Sequence, residues 1–285
     1  MIIAQMTDTH IMPKGKIWKN KPETEVSERL ELVVNHLNSL DPSPTVALLT
    51  GDATDRGEIE AYTHLKEILS PLKMPTYIVP GNHDNREALR KVFCHQSYMP
   101  PSGLIHYVIN DYPVRLIGLD TTTEHEDYGT LCQERLHWLQ NALYQDSQKP
   151  TLIFMHHPLI QTGNKLLDKI RCLTPEGFED MLQSFPNIIG ILSGHYHRPY
   201  SAIFGKTLSF TAPSTAPSFF FAQEDDEKVA AIDLVHPSFT LHKWLGQNQL
   251  ISEVIQAVKP HERLPCQMDG MDSLDSSYLL SRVNG

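Results

Sequence analysis

Short apolar runs recur along the first two-thirds of the chain, and a cluster of polar residues follows each one directly. The runs at Ile2–Met6, Thr45–Leu49, Thr76–Val79, Arg115–Leu119, Thr151–Met155 and Ile188–Leu192 have the length and aliphatic content of buried strands. Helical spacing fills the intervals. In Glu25–Leu40 the apolar residues Leu30, Val33, Val34 and Leu37 fall on one face, and Glu58–Ser70, Glu134–Tyr144 and Pro175–Gln183 read as further helices. Thr174 is expected to cap the last of these, with Pro175 in its first turn. Strand and helix in alternation predict an α/β fold with a largely parallel sheet and helical crossovers.

Past Arg198 the pattern changes. Ser201–Phe204, Thr207–Thr211, Val229–Val235 and Ser238–Leu245 read as strands, with tight turns at Gly205-Lys206 and His236-Pro237. They are expected to run antiparallel and to complete a second sheet. From Gly246 onward the pattern weakens. The expected organisation is therefore one domain over residues 1–245 and an extension over 246–285 that packs on the domain or at a subunit interface.

Composition narrows the function classes. With 285 residues, 40% hydrophobic and 20% charged, the chain has the make-up of a soluble globular enzyme. No apolar run approaches the roughly 20 residues of a membrane span. Met1–Thr7 leads straight into an expected strand without a basic leader, so the cytoplasm is the expected compartment. Cys94, Cys132, Cys172 and Cys266 form no C-x-x-C pair and read as reduced thiols. A formal charge of −10 argues against broad contact with nucleic acid, although bound cations would reverse the local sign for a small anionic substrate.

The chemistry is concentrated at strand ends. Asp8-Thr9-His10, Gly51-Asp52, Gly81-Asn82-His83-Asp84, His156-His157-Pro158 and Gly194-His195-Tyr196-His197 each follow one of the expected strands. In an open α/β sheet, ligands bind beyond the carboxyl ends of the strands, so clusters far apart in sequence can meet there. Asp8 with His10, and His195 with His197, stand two apart; in extended backbone such side chains point to the same side. Imidazole, carboxylate and carboxamide are transition-metal ligands, and the absence of clustered cysteine argues against a structural zinc site. Asp8, His10, Asp52, Asn82, His156, His195 and His197 are too many side chains for one ion. They suit two ions sharing a bridging carboxylate.

The ordered set D-x-H, G-D, G-N-H-D, H-H-P and G-H-x-H resembles the calcineurin-like metallophosphoesterase superfamily. Within it, the compact length is similar to class III cyclic nucleotide phosphodiesterases and bacterial glycerophosphodiesterases. The motifs run from Asp8 to His197. The resemblance implies a four-layer α/β/β/α sandwich of two mixed sheets flanked by helices. It implies one metal held by Asp8, His10, Asp52 and His197 and a second held by Asp52, Asn82, His156 and His195, with Asp52 bridging. His83 would stand beside them without binding either ion, and Asp84 and His157 would orient the ligands. The implied reaction is hydrolysis of a small phosphodiester, a 3′,5′-cyclic nucleotide or a glycerophosphodiester, by attack of a metal-bound hydroxide. His83 would stabilise charge or protonate the leaving oxygen. Iron, manganese, zinc and cobalt all suit such mixed donors. A homo-oligomer is expected, a dimer or larger, with no nucleic-acid or membrane partner.

A phosphomonoesterase or nuclease could use the same site, and the acidic charge weighs against the nuclease. A non-catalytic scaffold on this fold would be expected to have lost ligands, and here every position is filled. Elsewhere, Lys14, Lys16, Trp18, Lys19 and Lys21 are read as a solvated loop, and Phe219–Phe221 as core or interface. The nine further histidines, His36, His64 and His137 among them, are read as surface or helix residues.

Overall fold

The computed structural model describes residues 1–22, 25–221, 229–247 and 249–258. Strands β1 (Ile2–Met6), β2 (Val46–Thr50) and β3 (Thr76–Val79) lie parallel, joined by helices α1 (Val26–Ser39) and α2 (Ile59–Leu69). All five residues of β2 are buried, because the sheet is covered on both faces; the run therefore reads as continuously apolar rather than alternating. Helix α1 buries Leu30, Val33, Val34 and Leu37, the stripe that the spacing picked out.

Next come α3 (Arg86–Phe93), β4 (Tyr107–Ile109), β5 (Arg115–Leu119), the short β6 (Gly129–Thr130) and α4 (Gln133–Gln145). They are followed by β7 (Thr151–Met155), α5 (Lys165–Ile170), β8 (Cys172–Leu173), α6 (Phe178–Gln183) and β9 (Ile188–Ser193). Strands β5, β7 and β9 are parallel neighbours. Helix α6 starts later than Thr174-Pro175 predicts. Gly177 takes φ +80° immediately before Phe178, a left-handed break that ends the preceding turn and starts the helix afresh.

The remaining strands are β10 (Tyr200–Phe204), β11 (Thr207–Thr211), β12 (Ser218–Phe221), β13 (Val229–Asp233), β14 (Ser238–Gly246) and β15 (Gln249–Gln256). They do not all complete one second sheet. Strands β10 and β11 extend the sheet ordered β10-β11-β9-β7-β5-β4, whereas β14 and β15 join the other, ordered β15-β14-β1-β2-β3. Strands β12 and β13 form a separate ribbon. Strand β15 pairs along β14 across the turn at Gln247, so the chain from Gln249 to Gln256 belongs to the sheet. Cys266, Glu224-Asp225-Asp226 and the part of the extension from residue 259 on lie outside the described residues.

The two sheets pack face to face, with β2 over β7 and β3 over β5. Helices α1 and α2 cover the outside of the first sheet. Helices α4 and α6 cover the second, where Leu139, Leu143 and Leu182 meet Ile117, Ile153 and Ile191. This is the four-layer α/β/β/α sandwich. Between the sheets Gln5 donates from Nε2 to the Ser193 carbonyl and to Thr50 Oγ1, both at 2.9 Å. Its Oε1 lies 2.9 Å from Nε2 of His242, which is fully buried and not a surface group as the sequence suggested. Burial holds the His242 pKa down at about 3, so the imidazole is a neutral donor in this network.

Candidate metal centre

The five clusters meet at one end of the sandwich, and backbone hydrogen bonds knit their loops together. Asp8 N–H donates to the Gly51 carbonyl at 3.0 Å, His10 N–H to that of Asp52 at 2.9 Å, and Gly194 N–H to that of His156 at 2.9 Å. The pairing of Asp8 with His10, and of His195 with His197, does not arise from extended backbone as the two-residue spacing suggested. These four residues and Asp52 all occupy the left-handed region, with φ of 51°, 46°, 75°, 56° and 47° respectively. Successive left-handed kinks, rather than a pleat, turn the side chains inward. Close approach is the second requirement. A Cβ at Gly81 would sit 2.2 Å from Asp52 Oδ1 and 2.4 Å from its backbone nitrogen, so only glycine lets the loop after β3 close on Asp52.

Two groups of donor atoms result. In one, His10 Nε2 and His197 Nε2 are 3.1 Å apart, with Asp8 Oδ1 at 3.5 Å from His197 Nε2. In the other, His156 Nε2 lies 3.1 Å from both Asn82 Oδ1 and His195 Nδ1. Asp52 Oδ2 stands between them, 3.4 Å from His156 Nε2 and 3.7 Å from His10 Nε2. The seven ligand positions expected from the sequence are thus brought together, with Asp52 common to both groups.

The protons on these rings show what the arrangement fits. His156 Nδ1–H donates to the Thr50 carbonyl and His197 Nδ1–H to that of Pro217, each at 2.8 Å. His10 Nδ1 faces the Asp55 carboxylate at 3.3 Å. The two carbonyls keep a proton on Nδ1 of His156 and His197, and the Asp55 carboxylate favours one on Nδ1 of His10, so Nε2 is the nitrogen that all three turn toward the centre. His10 Nε2 and His197 Nε2, 3.1 Å apart and both unprotonated, repel unless a cation lies between them, and mixed imidazole and carboxylate donors suit borderline divalent ions. The residues present therefore fit bound metal.

The electrostatics agree. Burial alone would raise the Asp52 carboxyl, but the imidazoles of His156 and His83 hold it well below the usual carboxylate range. Burial pushes His197 down to about 4 and His195 well below its ordinary value, leaving both neutral, as ligands must be. His156 is the exception. Burial opposes its charge, yet the Asp52 and Asp8 carboxylates hold its pKa up at about 9, so without metal a proton takes the place of the cation. Metal binding must displace that proton. Below about pH 9 the apparent affinity should weaken about tenfold per pH unit for this one proton, and titrating manganese binding between about pH 6 and pH 8 checks it. A pH-independent affinity would mean that the ion leaves His156 protonated.

Around the donors stand the supporting groups. His83 does not join either donor group. Its ring meets that of His10 edge-on at 4.7 Å, its backbone N–H donates to Asp52 Oδ1 at 2.9 Å, and its Nδ1–H donates to the Asp55 carbonyl at 2.8 Å. That leaves Nε2 for the pocket. Burial works against the charge on His83, but the carboxylate of Asp52 and the carbonyl of Asp55 raise its pKa above the ordinary value. Asp84 accepts from the backbone of Ala53, Thr54 and Gly81 and from the Tyr62 hydroxyl, which ties the loops after β2 and β3 together. His157 pairs through Nδ1 with the Thr121 hydroxyl at 2.8 Å, and its ring packs on those of His156 and His195.

Asp55 escaped the sequence reading. It faces His10 Nδ1 through its carboxylate, accepts from Trp18 Nε1 at 2.7 Å, and holds His83 through its carbonyl. Its place three residues after Asp52, in Gly51-Asp52-Ala53-Thr54-Asp55, was the available signal. Trp18, Lys19, Phe219 and Phe221 also line the pocket above the centre, with the Phe219 ring 4.7 Å from that of His197. The loop before Pro22 thus borders the site through Trp18 and Lys19, while Lys14, Lys16, Lys19 and Lys21 are exposed as expected of a solvated loop; Phe219 and Phe221, read as core or interface, line the pocket.

The model of the calcineurin-like phosphoesterase family matches residues 1–199, and the chain belongs to that family of phosphoric ester hydrolases. It is 34% identical over 251 residues to a probable glycerophosphodiester phosphodiesterase, GpdQ, of Arcobacter nitrofigilis, covering 88% of this chain and 91% of that protein. It is 34% identical over 211 residues to a probable cyclic nucleotide phosphodiesterase of Rhodopseudomonas palustris, covering 71% of this chain and 74% of that one. Among solved structures, a dimetal phosphatase from Danio rerio shares the fold, with a TM-score of 0.64 at 14% identity over 90% of this chain and 96% of that one. Among the described residues no helix is long and apolar enough to cross a membrane.

Proposed function

We propose that the protein is a binuclear metal-dependent phosphodiesterase acting on a small diester, a glycerophosphodiester or a 3′,5′-cyclic nucleotide. One observation carries this reading: two groups of metal-ligating atoms converge on either side of Asp52 Oδ2, with the His83 ring beside them. Asp8, His10, Asp52 and His197 would hold one ion, and Asp52, Asn82, His156 and His195 the other. When bound, the ions supply Lewis-acid activation of water and positive charge for the phosphate oxygens. The chain's own contribution is position. Asp52 keeps the two groups in register, Asp55 and the backbone carbonyls of Thr50 and Pro217 fix the imidazole tautomers, and His83 presents Nε2 to the departing oxygen. A proton held there neutralises charge on that oxygen as the ester bond breaks. The names of the two relatives support a diester over a monoester.

Turnover of bis(p-nitrophenyl) phosphate against p-nitrophenyl phosphate by manganese-loaded protein tests the reading. The expected result is a clear preference for the diester. Preference for the monoester would make the protein a phosphatase. Two bound metals without turnover of either would favour a scaffold.

A further inference from the structure

The cavity above the candidate metal centre has a polar floor and a largely apolar remainder. Its floor is made of His10, His83, His195 and His197 with Asp52 and Asn82. Helix α5 lends Leu166, Leu167 and Ile170 to the lining, and the β12–β13 ribbon lends Phe219, Phe221 and Val229. Of these, only Leu167 is fully covered by protein; the others keep surface toward the opening. Among the described residues that line the cavity, Lys19 and Asp127 are the charged side chains apart from the floor. The Tyr196 hydroxyl is already engaged with the carbonyls of Leu167 at 3.1 Å and Ile160 at 3.4 Å.

We propose that this slot selects a phosphodiester in which the arm that enters it is aromatic or apolar, rather than a polyol. The proposal rests on the phosphodiesterase reading for where the phosphate sits, and it narrows the substrate class. A glycerol arm lying against α5 and the ribbon would turn its hydroxyls toward leucine, isoleucine and phenylalanine side chains, which cannot replace the hydrogen bonds lost from water. A flat ring or an alkyl arm gains apolar contact there and leaves no polar group unpaired. The cavity has a volume of about 220 Å³. Ile170 on α5 and Phe221 on the ribbon are the specificity-determining residues this assigns.

Binding rather than turnover tests it, which separates its failure from failure of the diesterase reading. The probes are phenylphosphonate and 2,3-dihydroxypropylphosphonate, which carry the same head group to the metals and cannot be hydrolysed at their carbon–phosphorus bond. Calorimetry on manganese-loaded protein should show the phenyl compound binding about 10- to 100-fold more tightly. In Ile170→Asn and in Phe221→Ser, made separately and shown to retain full metal content, that ratio should fall towards one through loss of phenylphosphonate affinity alone. Equal affinities in the wild-type protein, tighter binding of the dihydroxypropyl compound, no binding of either, or an unchanged ratio in both metal-loaded variants overturns the proposal. Absence of bis(p-nitrophenyl) phosphate turnover with the affinity ratio intact would remove the diesterase reading and leave the apolar slot.

Discussion

Replacing Asp52 by alanine is expected to strip metal from both halves of the centre and to lower diester turnover by about 10³-fold or more. Asp8 also has a carboxylate oxygen near donors of both groups, but Asp52 is the residue proposed to bridge the two ions. Its Oδ2 lies within 3.7 Å of a donor in each group, while its Oδ1 accepts the backbone N–H of His83. Alanine therefore removes a ligand from each ion and frees the loop that carries Asn82 and His83. The asparagine variant separates these effects. Asp52→Asn can still accept from His83 N–H and keep the loop in place, but it carries no negative charge for two cations to share. Metal analysis of both variants should show strong depletion, with near-native thermal stability of the metal-free protein only for asparagine. Two ions retained in Asp52→Asn would show that charge at the bridge is dispensable.

His83→Ala should behave oppositely with respect to metal. The His83 ring binds neither donor group, so metal content should stay unchanged while turnover falls by about 10²–10⁴-fold, the usual contribution of a positioned acid. The size of the loss should depend on the leaving group. A p-nitrophenolate ion departs without help, so a diester that releases it should be hurt least. An alkyl alcohol needs a proton as the bond breaks, so alkyl diesters should be hurt most. An equal loss on both would make His83 a residue that positions the loop through its backbone rather than a proton donor. The Nδ1–H bond to the Asp55 carbonyl sharpens the test. It holds one ring nitrogen protonated, so the chemistry falls on Nε2 alone.

Much of this was legible in the sequence, for identifiable physical reasons. Strands β1, β3, β5 and β7 were read with the bounds the structure gives, because each is a short apolar run ending in a polar cluster. The same ends announced the donors, since side chains at parallel strand ends converge whatever their separation along the chain. Helix α3 escaped because its stripe is only Ala88, Leu89 and Phe93, with the buried Arg90 among them. The allocation of β14 and β15 to the first sheet escaped for another reason: Ile2 pairs with Lys243, a contact that no local pattern encodes. Phe219 was read as core or interface because it opens an apolar run of three phenylalanines, and the packing of its ring on His197 exists only in the fold. Asp55 acts on two imidazoles contributed by other loops, so its role exists only in three dimensions.

The left-handed backbone at Asp8, His10, Asp52, His195 and His197 bears on which ligands this scaffold can accept at all. Positive φ in a non-glycine residue is tolerated best by aspartate, asparagine and histidine, and poorly by β-branched or bulky side chains. Coordination chemistry by itself would permit glutamate or cysteine at several of these places. The backbone filters the choice before any ion arrives, and aspartate and histidine, the types found at these five positions, are among the few that suit both the turn and a metal. A change of metal preference by ligand exchange is therefore easier at Asn82 or His156, where the chain carries no such constraint, than at the five kinked positions. The loops set the vocabulary from which the centre can be rewritten.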